Sequence, residues 1–259
     1  MLDLHCHILP DTDDGAKDWA ATLEMCRLAR LDGITHIVAT PHANGRYHYD
    51  RCAHQALLDE LRAKVPELTF SLGCDFHLSY ENVEAALENP HRFTIGDTRF
   101  LLVELSDFAT PAQTKQLLFR LHGAGLTMII THPERNPIFA QYRELAGELA
   151  DLGCLLQITG DSLLGAWGRS VKKLSETYLR DGLVSVIASD AHDTRRRVPT
   201  LSKARKAAAK LVGAAAAAQL VDGNPRALVG SCDAPQVSPV GAPLFAPQDL
   251  EAIAVPEAC

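Results

Sequence analysis

The chain opens with Leu2-Asp3-Leu4-His5-Cys6-His7-Ile8, a short strand-like run that carries a His-x-His pair. Alternate side chains of a strand share a face, so we expect Asp3, His5 and His7 to point the same way. Two imidazoles on one face, at the end of an apolar strand, are suited to binding a divalent metal ion. A half-buried strand with two hydrogen-bonded histidines is the alternative. The run alone favours neither interpretation.

Composition and charge limit the class of protein. A chain of 259 residues with 47% hydrophobic composition can bury a full core, in one large α/β domain or two small ones. The net charge of −7 argues against a nucleic-acid-binding protein. The absence of an apolar run of about 18 residues and of a charged-then-apolar leader predicts a soluble protein without membrane insertion or export. The seven cysteines are scattered and lack a Cys-x-x-Cys pair, which favours reduced thiols and a cytoplasmic location.

Apolar strand-like runs alternate with helical patterns along the whole chain. The predicted strands cover residues 2–8, 34–39, 68–72, 100–103, 126–130, 154–158 and 183–188. Continuous apolar strands that are each followed by a helix are typical of a parallel sheet covered by helices. Seven such units are enough to close a barrel of the TIM type. A doubly wound open sheet has similar local patterns.

Two of the predicted helices are long and uninterrupted, over residues 137–152 and 162–179. No linker divides the chain, so residues 1–232 are expected to form one domain. Residues 233–259 hold five prolines and little periodicity, which predicts an extended or disordered C-terminal tail.

Metal-binding side chains follow six of the seven predicted strands. They are His5, His7, His42, Asp75, Glu104, His132, Asp190 and His192. Because the carboxyl ends of barrel strands meet at one face, we expect these groups to form one centre. The other histidines are scattered, and we expect surface or ordinary hydrogen-bonding roles for them. They are His36, His48, His54, His77, His91 and His122.

The number of candidate ligands predicts more than one metal ion. With Asp13 or Asp14 from the first loop, the set exceeds the four ligands of a zinc site. Mixed imidazole and carboxylate ligands suit Mn²⁺, Fe²⁺ or Zn²⁺. Closely spaced cations stabilise an anion and lower the pKa of a water between them, which suits hydrolysis of a phosphate ester.

Five motifs carry a resemblance to a known family. They are His5-Cys6-His7, Asp13-Asp14-Gly15, Ala39-Thr40-Pro41-His42, Thr131-His132-Pro133-Glu134-Arg135 and Ser189-Asp190-Ala191-His192. Together they resemble the PHP (polymerase and histidinol phosphatase) superfamily. More closely, they are similar to its bacterial manganese-dependent protein-tyrosine phosphatases of the CpsB/YwqE type, which are linked to capsule and exopolysaccharide synthesis. The likeness runs to about residue 230 and includes Asn224-Pro225-Arg226.

The resemblance implies a distorted (β/α)7 TIM-like barrel of the PHP type with two or three Mn²⁺ ions, Fe or Zn being the alternatives. Carried over by motif, the first metal is held by His5, His7, Asp75 and Asp190. Asp75 bridges to a second metal, held by Glu104 and His132. Asp14, His42 and His192 hold a third. Aspartate at position 75 is a departure, because the family usually has Gly-x-Glu where this chain has Gly73-Cys74-Asp75. The choice of Asp14 over Asp13 also comes from the motif.

The activity implied by the resemblance is hydrolysis of phosphotyrosine on a protein, a bacterial tyrosine kinase of capsule or exopolysaccharide synthesis. A hydroxide between the metals is expected to attack phosphorus in line. Arg135 offers a planar fork to the phosphate. Arg197 matches a second family arginine, although the run Arg195-Arg196-Arg197 also fits an exposed face. A cysteine-dependent route is disfavoured, since no cysteine is followed by arginine six positions later.

Three other functions stay open from the sequence. A PHP phosphatase for a small phosphate ester such as histidinol phosphate would share the fold and the metals. An amidohydrolase also uses His-x-His on a barrel, but it usually has a bridging lysine at a middle strand end, and no predicted strand end here supplies one. A non-catalytic metal-binding regulator, for example a partner of a tyrosine kinase, is the third.

Overall fold

The computed structural model describes residues 1–230, so the tail predicted over residues 233–259 lies outside the described residues. Within that range the strands, in chain order β1 to β9, are Leu2–Cys6, His36–Ala39, His42–Ala43, Thr69–Leu72, Asp75–His77, Phe100–Glu104, Thr127–Thr131, Leu155–Thr159 and Val184–Ala188. One sheet has the order β1-β2-β4 and the other the order β3-β5-β6-β7-β8-β9. Every pair of neighbouring strands is parallel. The protein is thus an α/β fold with parallel sheets.

The second and third predicted strands correspond to β2 and β4, and each is followed by a further short strand, β3 and β5, that was not predicted. Thr40 and Pro41 separate β2 from β3, because proline has no N–H to continue a ladder. Gly73 and Cys74 separate β4 from β5 at the same level. Hydrogen bonds from the N–H of Gly73 to the carbonyl of Ala39 (2.8 Å) and from the N–H of Asp75 to Pro41 (3.1 Å) continue the pairing across the break. The seven predicted strand positions are therefore confirmed.

The helices cover the sheets, and they occur along the chain close to the positions that the apolar periodicity predicts. In chain order, α1 to α11 are Trp19–Leu31, Arg51–Lys64, Tyr80–Glu88, Pro111–Gly123, Pro137–Gln141, Leu145–Asp151, Gly160–Leu164, Arg169–Arg180, Ser202–Val212, Ala214–Ala218 and Asn224–Leu228. Across residues 1–230, none of these helices combines the length and the apolar character that crossing a bilayer requires.

Two predictions of uninterrupted helices are wrong. The segment predicted as one helix over residues 137–152 forms α5 and α6, which are separated at Tyr142. The segment over residues 162–179 forms α7 and α8. Between them Gly165 and Gly168 adopt φ of +93° and +94°, a left-handed conformation that ends a right-handed helix. The short loop that results contains Trp167.

The strands are buried on both faces, as expected of a parallel sheet covered by helices. A smaller apolar cluster joins strands from both sheets; it includes Leu2, Leu4, Val38, Leu102, Ile129, Val186 and Ala188. A larger cluster joins the opposite strand faces to the helices, for example Ile37, Val103 and Ile130 to Leu58 and Leu118. Each such side chain contributes about 1.5–3 kcal/mol when fully buried. This packing holds the carboxyl ends of the parallel strands at a common edge.

Strict alternation fails in β1, whose register with β2 shifts between Asp3 and Cys6. Asp3 accepts hydrogen bonds from the N–H (2.9 Å) and the hydroxyl (2.5 Å) of Ser189. His5 and His7 instead approach each other, with 3.1 Å between their Nε2 atoms. The prediction that Asp3 shares the face of the two histidines is therefore wrong, because an irregular step in the strand separates them.

Candidate metal centre

The nine side chains predicted as metal ligands come together at the carboxyl ends of the strands. They are His5, His7, Asp14, His42, Asp75, Glu104, His132, Asp190 and His192. Six of them are buried, whereas His42 and Glu104 are half-buried and Asp14 is exposed. Among the described residues, donor atoms within 4.8 Å of one another form three overlapping groups.

The first group is His5, His7 and Asp75. The Nε2 atom of His5 lies 3.5 Å from Asp75 Oδ2 and also 3.5 Å from Asp190 Oδ1. Asp190 Oδ1 lies 3.6 Å from the Nε2 atom of His7. These four side chains are the set that the sequence motifs imply for the first metal.

The second group is His42, Asp75 and Glu104, and its composition differs from the set implied by the motifs. The Nδ1 atom of His42 is 3.2 Å from Asp75 Oδ2 and 3.9 Å from Glu104 Oε2. His132 falls outside the group, although its Nε2 atom lies 3.6 Å from Glu104 Oε1. His42 therefore faces two carboxylates that the motifs assign to a different ion.

The third group is His7, Asp14, His42 and His192. Asp14 Oδ1 lies 3.4 Å from His42 Nε2 and 3.5 Å from His192 Nε2. Asp13 has a different position: it accepts a hydrogen bond from His7 Nδ1 at 2.7 Å and one from the N–H of His42 at 3.0 Å. Asp14 thus faces the cluster, whereas Asp13 holds one of its histidines.

Acceptors other than the ligand carboxylates orient three of the imidazoles. His5 Nδ1 is 2.9 Å from Gln157 Oε1, His7 Nδ1 bonds Asp13, and His192 Nδ1 is 3.0 Å from the carbonyl of Asp190. Each contact favours the tautomer with a proton on Nδ1 and a lone pair on Nε2, which is the atom that faces the cluster. Gln157 was not among the residues predicted from the sequence to lie at the site. Its signal is a polar side chain within an otherwise apolar strand.

The carboxylates of the cluster favour positive charge on two of the histidines that face them. Burial lowers the pKa of His5, but Asp75 and Asp190 outweigh it and raise that pKa to about 9. Burial also lowers the pKa of His42, yet Asp14 and Asp75 raise it to about 11. In the metal-free protein these imidazoles are therefore protonated at neutral pH, and their protons occupy the place of cations.

The donor set fits divalent metal ions. His42 Nδ1 and Asp75 Oδ2 are buried and face each other, but neither atom makes a hydrogen bond within the described residues. They lie 3.2 Å apart, and a divalent cation placed between them would bind both atoms. The nearby thiols of Cys6 and Cys74 belong to none of the three groups. Nitrogen and oxygen donors alone suit Mn²⁺, Fe²⁺ or Zn²⁺.

Two residues of the centre have an uncommon backbone conformation. His132 and Asp190 adopt φ of +36° and +52°, and left-handed conformations of non-glycine residues cost on the order of 1–3 kcal/mol. Backbone hydrogen bonds hold both residues: the N–H of His132 donates to Gln157 at 2.8 Å, and that of Asp190 donates to His5 at 2.9 Å. Such strain at a cluster of polar groups is typical of a functional site.

Both predicted arginines lie beside the cluster. Their Nη2 atoms donate to the same oxygen, Asp190 Oδ2, at 2.5 Å from Arg135 and 2.6 Å from Arg197. Arg195 and Arg196 are exposed. The arginine run is therefore an exposed face only in part, since its last member turns towards the centre. Both guanidinium groups also contact Trp167, which the sequence analysis missed.

Two further residues border the centre without having been predicted there. Glu134 is buried and accepts a hydrogen bond from the N–H of Thr159 at 2.9 Å, which ties the turn between His132 and Arg135 to β8. His77 was expected in a surface or ordinary hydrogen-bonding role, and its Nδ1 atom lies 3.6 Å from Glu104 Oε2, one of the proposed ligands. Its signal is its place in β5, two residues after Asp75, where alternation directs both side chains to one face.

The fold and the site together define a class of protein. A parallel α/β fold with imidazoles, carboxylates and two arginines at its strand ends is suited to metal-dependent hydrolysis of an anionic substrate. The family model described as "Capsular polysaccharide synthesis, CpsB/CapC" matches residues 1–230. The chain belongs to this family, which confirms the resemblance that its motifs carry.

Individual relatives agree with this membership. Tyrosine-protein phosphatase YwqE of Bacillus subtilis (strain 168) is 35% identical over 202 residues, or 76% of this chain and 79% of YwqE. Tyrosine-protein phosphatase CpsB of Streptococcus pneumoniae is 29% identical over 239 residues, or 88% of this chain and 98% of CpsB.

Solved structures give the same result. The structure described as YwqE from Bacillus subtilis and CpsB from Streptococcus pneumoniae, "unique metal-dependent tyrosine phosphatases", matches with a TM-score of 0.82 at 32% identity. The match covers 88% of this chain and 94% of that chain. Histidinol phosphate phosphatase from Lactococcus lactis matches with a TM-score of 0.55 at 12% identity, over 82% of this chain and 92% of that chain. That second likeness concerns the fold alone.

Proposed function

We propose that this protein is a metal-dependent protein-tyrosine phosphatase. The observation that carries the proposal is the contact of both arginines with Asp190, a carboxylate whose other oxygen faces His5 and His7. Groups that bind a phosphoryl anion thereby lie directly beside groups that bind cations. The relatives named as tyrosine-protein phosphatases support this choice of substrate.

The metal ligands are proposed residue by residue. His5, His7, Asp75 and Asp190 hold the first ion, Asp75 with Glu104 and His132 holds the second, and Asp14, His42 and His192 hold the third. Mn²⁺ is the proposed metal, with Fe or Zn as alternatives, and two or three ions are bound. When bound, such ions neutralise phosphoryl oxygens and lower the pKa of water.

The protein side chains contribute binding and orientation. A guanidinium has five N–H donors, so Arg135 and Arg197 keep free donors for phosphoryl oxygens beyond the one that each gives to Asp190. Asp13 and Gln157 hold His7 and His5 with Nε2 towards the cluster. A tyrosinate leaving group has a pKa of about 10 and departs without a strong general acid, so we assign no side chain to that role.

The two sheets are proposed to form one distorted (β/α)7 barrel of the PHP type within a single domain over residues 1–232. Contacts between the end of β1 and the segment after β9 support this. The N–H of Asp190 donates to His5 and the N–H of His7 donates to Ala191, both at 2.9 Å. Cys6 and Ala191 form an isolated parallel bridge.

The proposed substrate is a phosphotyrosine protein, namely a bacterial tyrosine kinase of capsule or exopolysaccharide synthesis. The family description and the names of the relatives support it. A cytoplasmic location is proposed with it, in agreement with the free thiols of Cys6, Cys26, Cys74 and Cys154 among the described residues.

The test compares substrates in metal-stripped and Mn²⁺-reloaded protein. We expect metal-dependent turnover with the highest kcat/KM on a phosphotyrosine peptide, a lower value on histidinol phosphate, and none on an amide panel. His192→Ala should lower bound metal and rate together, whereas His91→Ala, at an exposed position, should change neither. Full activity after verified metal removal would refute the metal mechanism. Preference for histidinol phosphate would replace the proposed substrate class.

A further inference from the structure

Trp167 is a large aromatic side chain with no assigned role at the edge of the metal centre. It lies in the loop between α7 and α8, flanked by the left-handed Gly165 and Gly168, and 42% of its surface is exposed. Exposing an indole to solvent forgoes the free energy that its burial would contribute. Single exposed apolar side chains are common on protein surfaces, so the residues that the indole contacts decide what role it can have.

The indole contacts both of the arginines assigned to phosphoryl binding. The Cζ atom of Arg135 lies 4.5 Å from the ring centroid and that of Arg197 lies 5.6 Å from it. Guanidinium groups at this distance are attracted to the ring face. Both arginines also donate to Asp190, so they are held between a carboxylate and an aromatic surface. Part of that surface is uncovered next to the proposed phosphoryl site.

The chemistry of the ester group decides what this surface can distinguish. If the arginines hold the phosphoryl group, a substituent on its ester oxygen would be within reach of the indole that contacts them. An aryl substituent stacks on an indole, with ring centroids about 4.5–7 Å apart. An alkyl substituent gains less from the same surface.

We propose that Trp167 is a specificity-determining residue that forms an aromatic wall of the substrate site and selects aryl over alkyl phosphate monoesters. This inference rests on the proposed phosphatase function. Tyr47 is also an aromatic side chain near the centre, but it stacks on His42, with 6.0 Å between centroids and 12° between planes. Trp167 alone of the two contacts both arginines.

The test uses phosphonates, which bind like phosphate esters but are not hydrolysed. Dissociation constants of phenylphosphonate and methylphosphonate are measured for Mn²⁺-loaded wild type, Trp167→Leu, Trp167→Phe and Tyr47→Leu. Trp19→Phe is the matched control, because Trp19 lies in α1 against Lys64, away from the centre. The chain has two tryptophans, so Trp19→Phe also leaves Trp167 as the single indole reporter.

We expect wild type to prefer phenylphosphonate, and Trp167→Leu to reduce that preference about threefold to tenfold, in line with the worth of an aromatic pair. Trp167→Phe should retain most of it, and Trp19→Phe all of it, with Trp167 fluorescence changing on binding of phenylphosphonate. An equal loss of affinity for both phosphonates in Trp167→Leu would assign the indole to supporting the arginines and overturn the proposal.

Loss of the preference in Tyr47→Leu instead of Trp167→Leu would also overturn it. Turnover of a phosphotyrosine peptide by the same wild-type sample separates the two questions. With turnover present, an unchanged phosphonate ratio in Trp167→Leu contradicts only the role of Trp167. If the wild-type protein does not turn over the phosphotyrosine peptide, the proposed phosphatase function itself is refuted.

Discussion

Replacing Gln157 with leucine is expected to weaken metal binding while leaving the fold almost as stable as before. Gln157 is fully buried and its Oε1 atom lies 2.9 Å from His5 Nδ1. The change leaves that Nδ1–H without an acceptor, a cost of about 1–3 kcal/mol. It also removes the buried Nε2 group of Gln157, which has no hydrogen-bond partner among residues 1–230. The two effects have similar size, so we expect the free energy of unfolding of metal-free protein to change by less than about 1 kcal/mol.

The effect on metal affinity is not offset in this way. Without the acceptor, His5 is free to rotate and to carry its proton on Nε2, the atom that faces Asp75 and Asp190. Loss of such an orienting partner typically costs 10–100-fold in metal affinity, or about 1.4–2.7 kcal/mol. The effect should therefore be larger on binding than on folding.

The assay is competition for Mn²⁺ between protein and a chelator, combined with urea unfolding of the metal-free protein. Gln157→Glu keeps an acceptor at the same place and should restore most of the affinity. Gln141→Leu, at an exposed position, is the matched surface control. If Gln157→Leu bound Mn²⁺ as tightly as wild type, the orienting role of Gln157 would be refuted.

Two further predictions concern the first loop and protons. Gly15→Ala should lower metal content and turnover at least about tenfold. The added Cβ would lie 2.2 Å from the carbonyl oxygen of His7 and would displace the loop. Such overpacking costs about 1–3 kcal/mol. Gly45→Ala, with no atom within 4 Å, is its control in the same metal analysis, and equal metal content in both variants would contradict the prediction. Loading metal-free protein with Mn²⁺ near neutral pH should release about two protons, because bound imidazoles are neutral whereas the pKa values of His5 and His42 are raised to about 9 and about 11. For the same reason, metal-free protein should lose stability as pH rises from 6.5, the ordinary pKa of His5, through about 9. An indicator dye measures the proton release, and urea unfolding measures the stability. Metal uptake without proton release would disprove both predictions.

The strand ends of this protein follow from the sequence because two local signals coincide there. Apolar runs mark the strands, and a polar metal-binding residue follows most of them. The parallel topology brings these ends to one level, so the sequence alone groups residues as distant as His5 and His192. Asp14 and Arg197 required the family motifs, since their local patterns fit an exposed loop and an exposed face equally well.

The remaining features depend on contacts that no local pattern contains. The bond between His5 and Gln157 joins residues 152 positions apart. The register shift in β1 depends on the pairing with β2, and the left-handed backbone of His132 is set by its bond to Gln157. Trp167 was hidden in a predicted helix because its apolar spacing resembles a helical face, whereas Gly165 and Gly168 end the helix on either side.

The hydrogen bonds between Asp3 and Ser189 have a consequence for how the chain is made. They join residues 186 positions apart, and the ligands of the centre span almost the same interval. At about 5–20 residues per second, β1 leaves the ribosome on the order of 10–40 s before its partner exists. During that interval the apolar Leu2 and Leu4 and the His-x-His pair lack their native neighbours. The metal centre therefore cannot be complete until the segment that carries Asp190 and His192 has been synthesised.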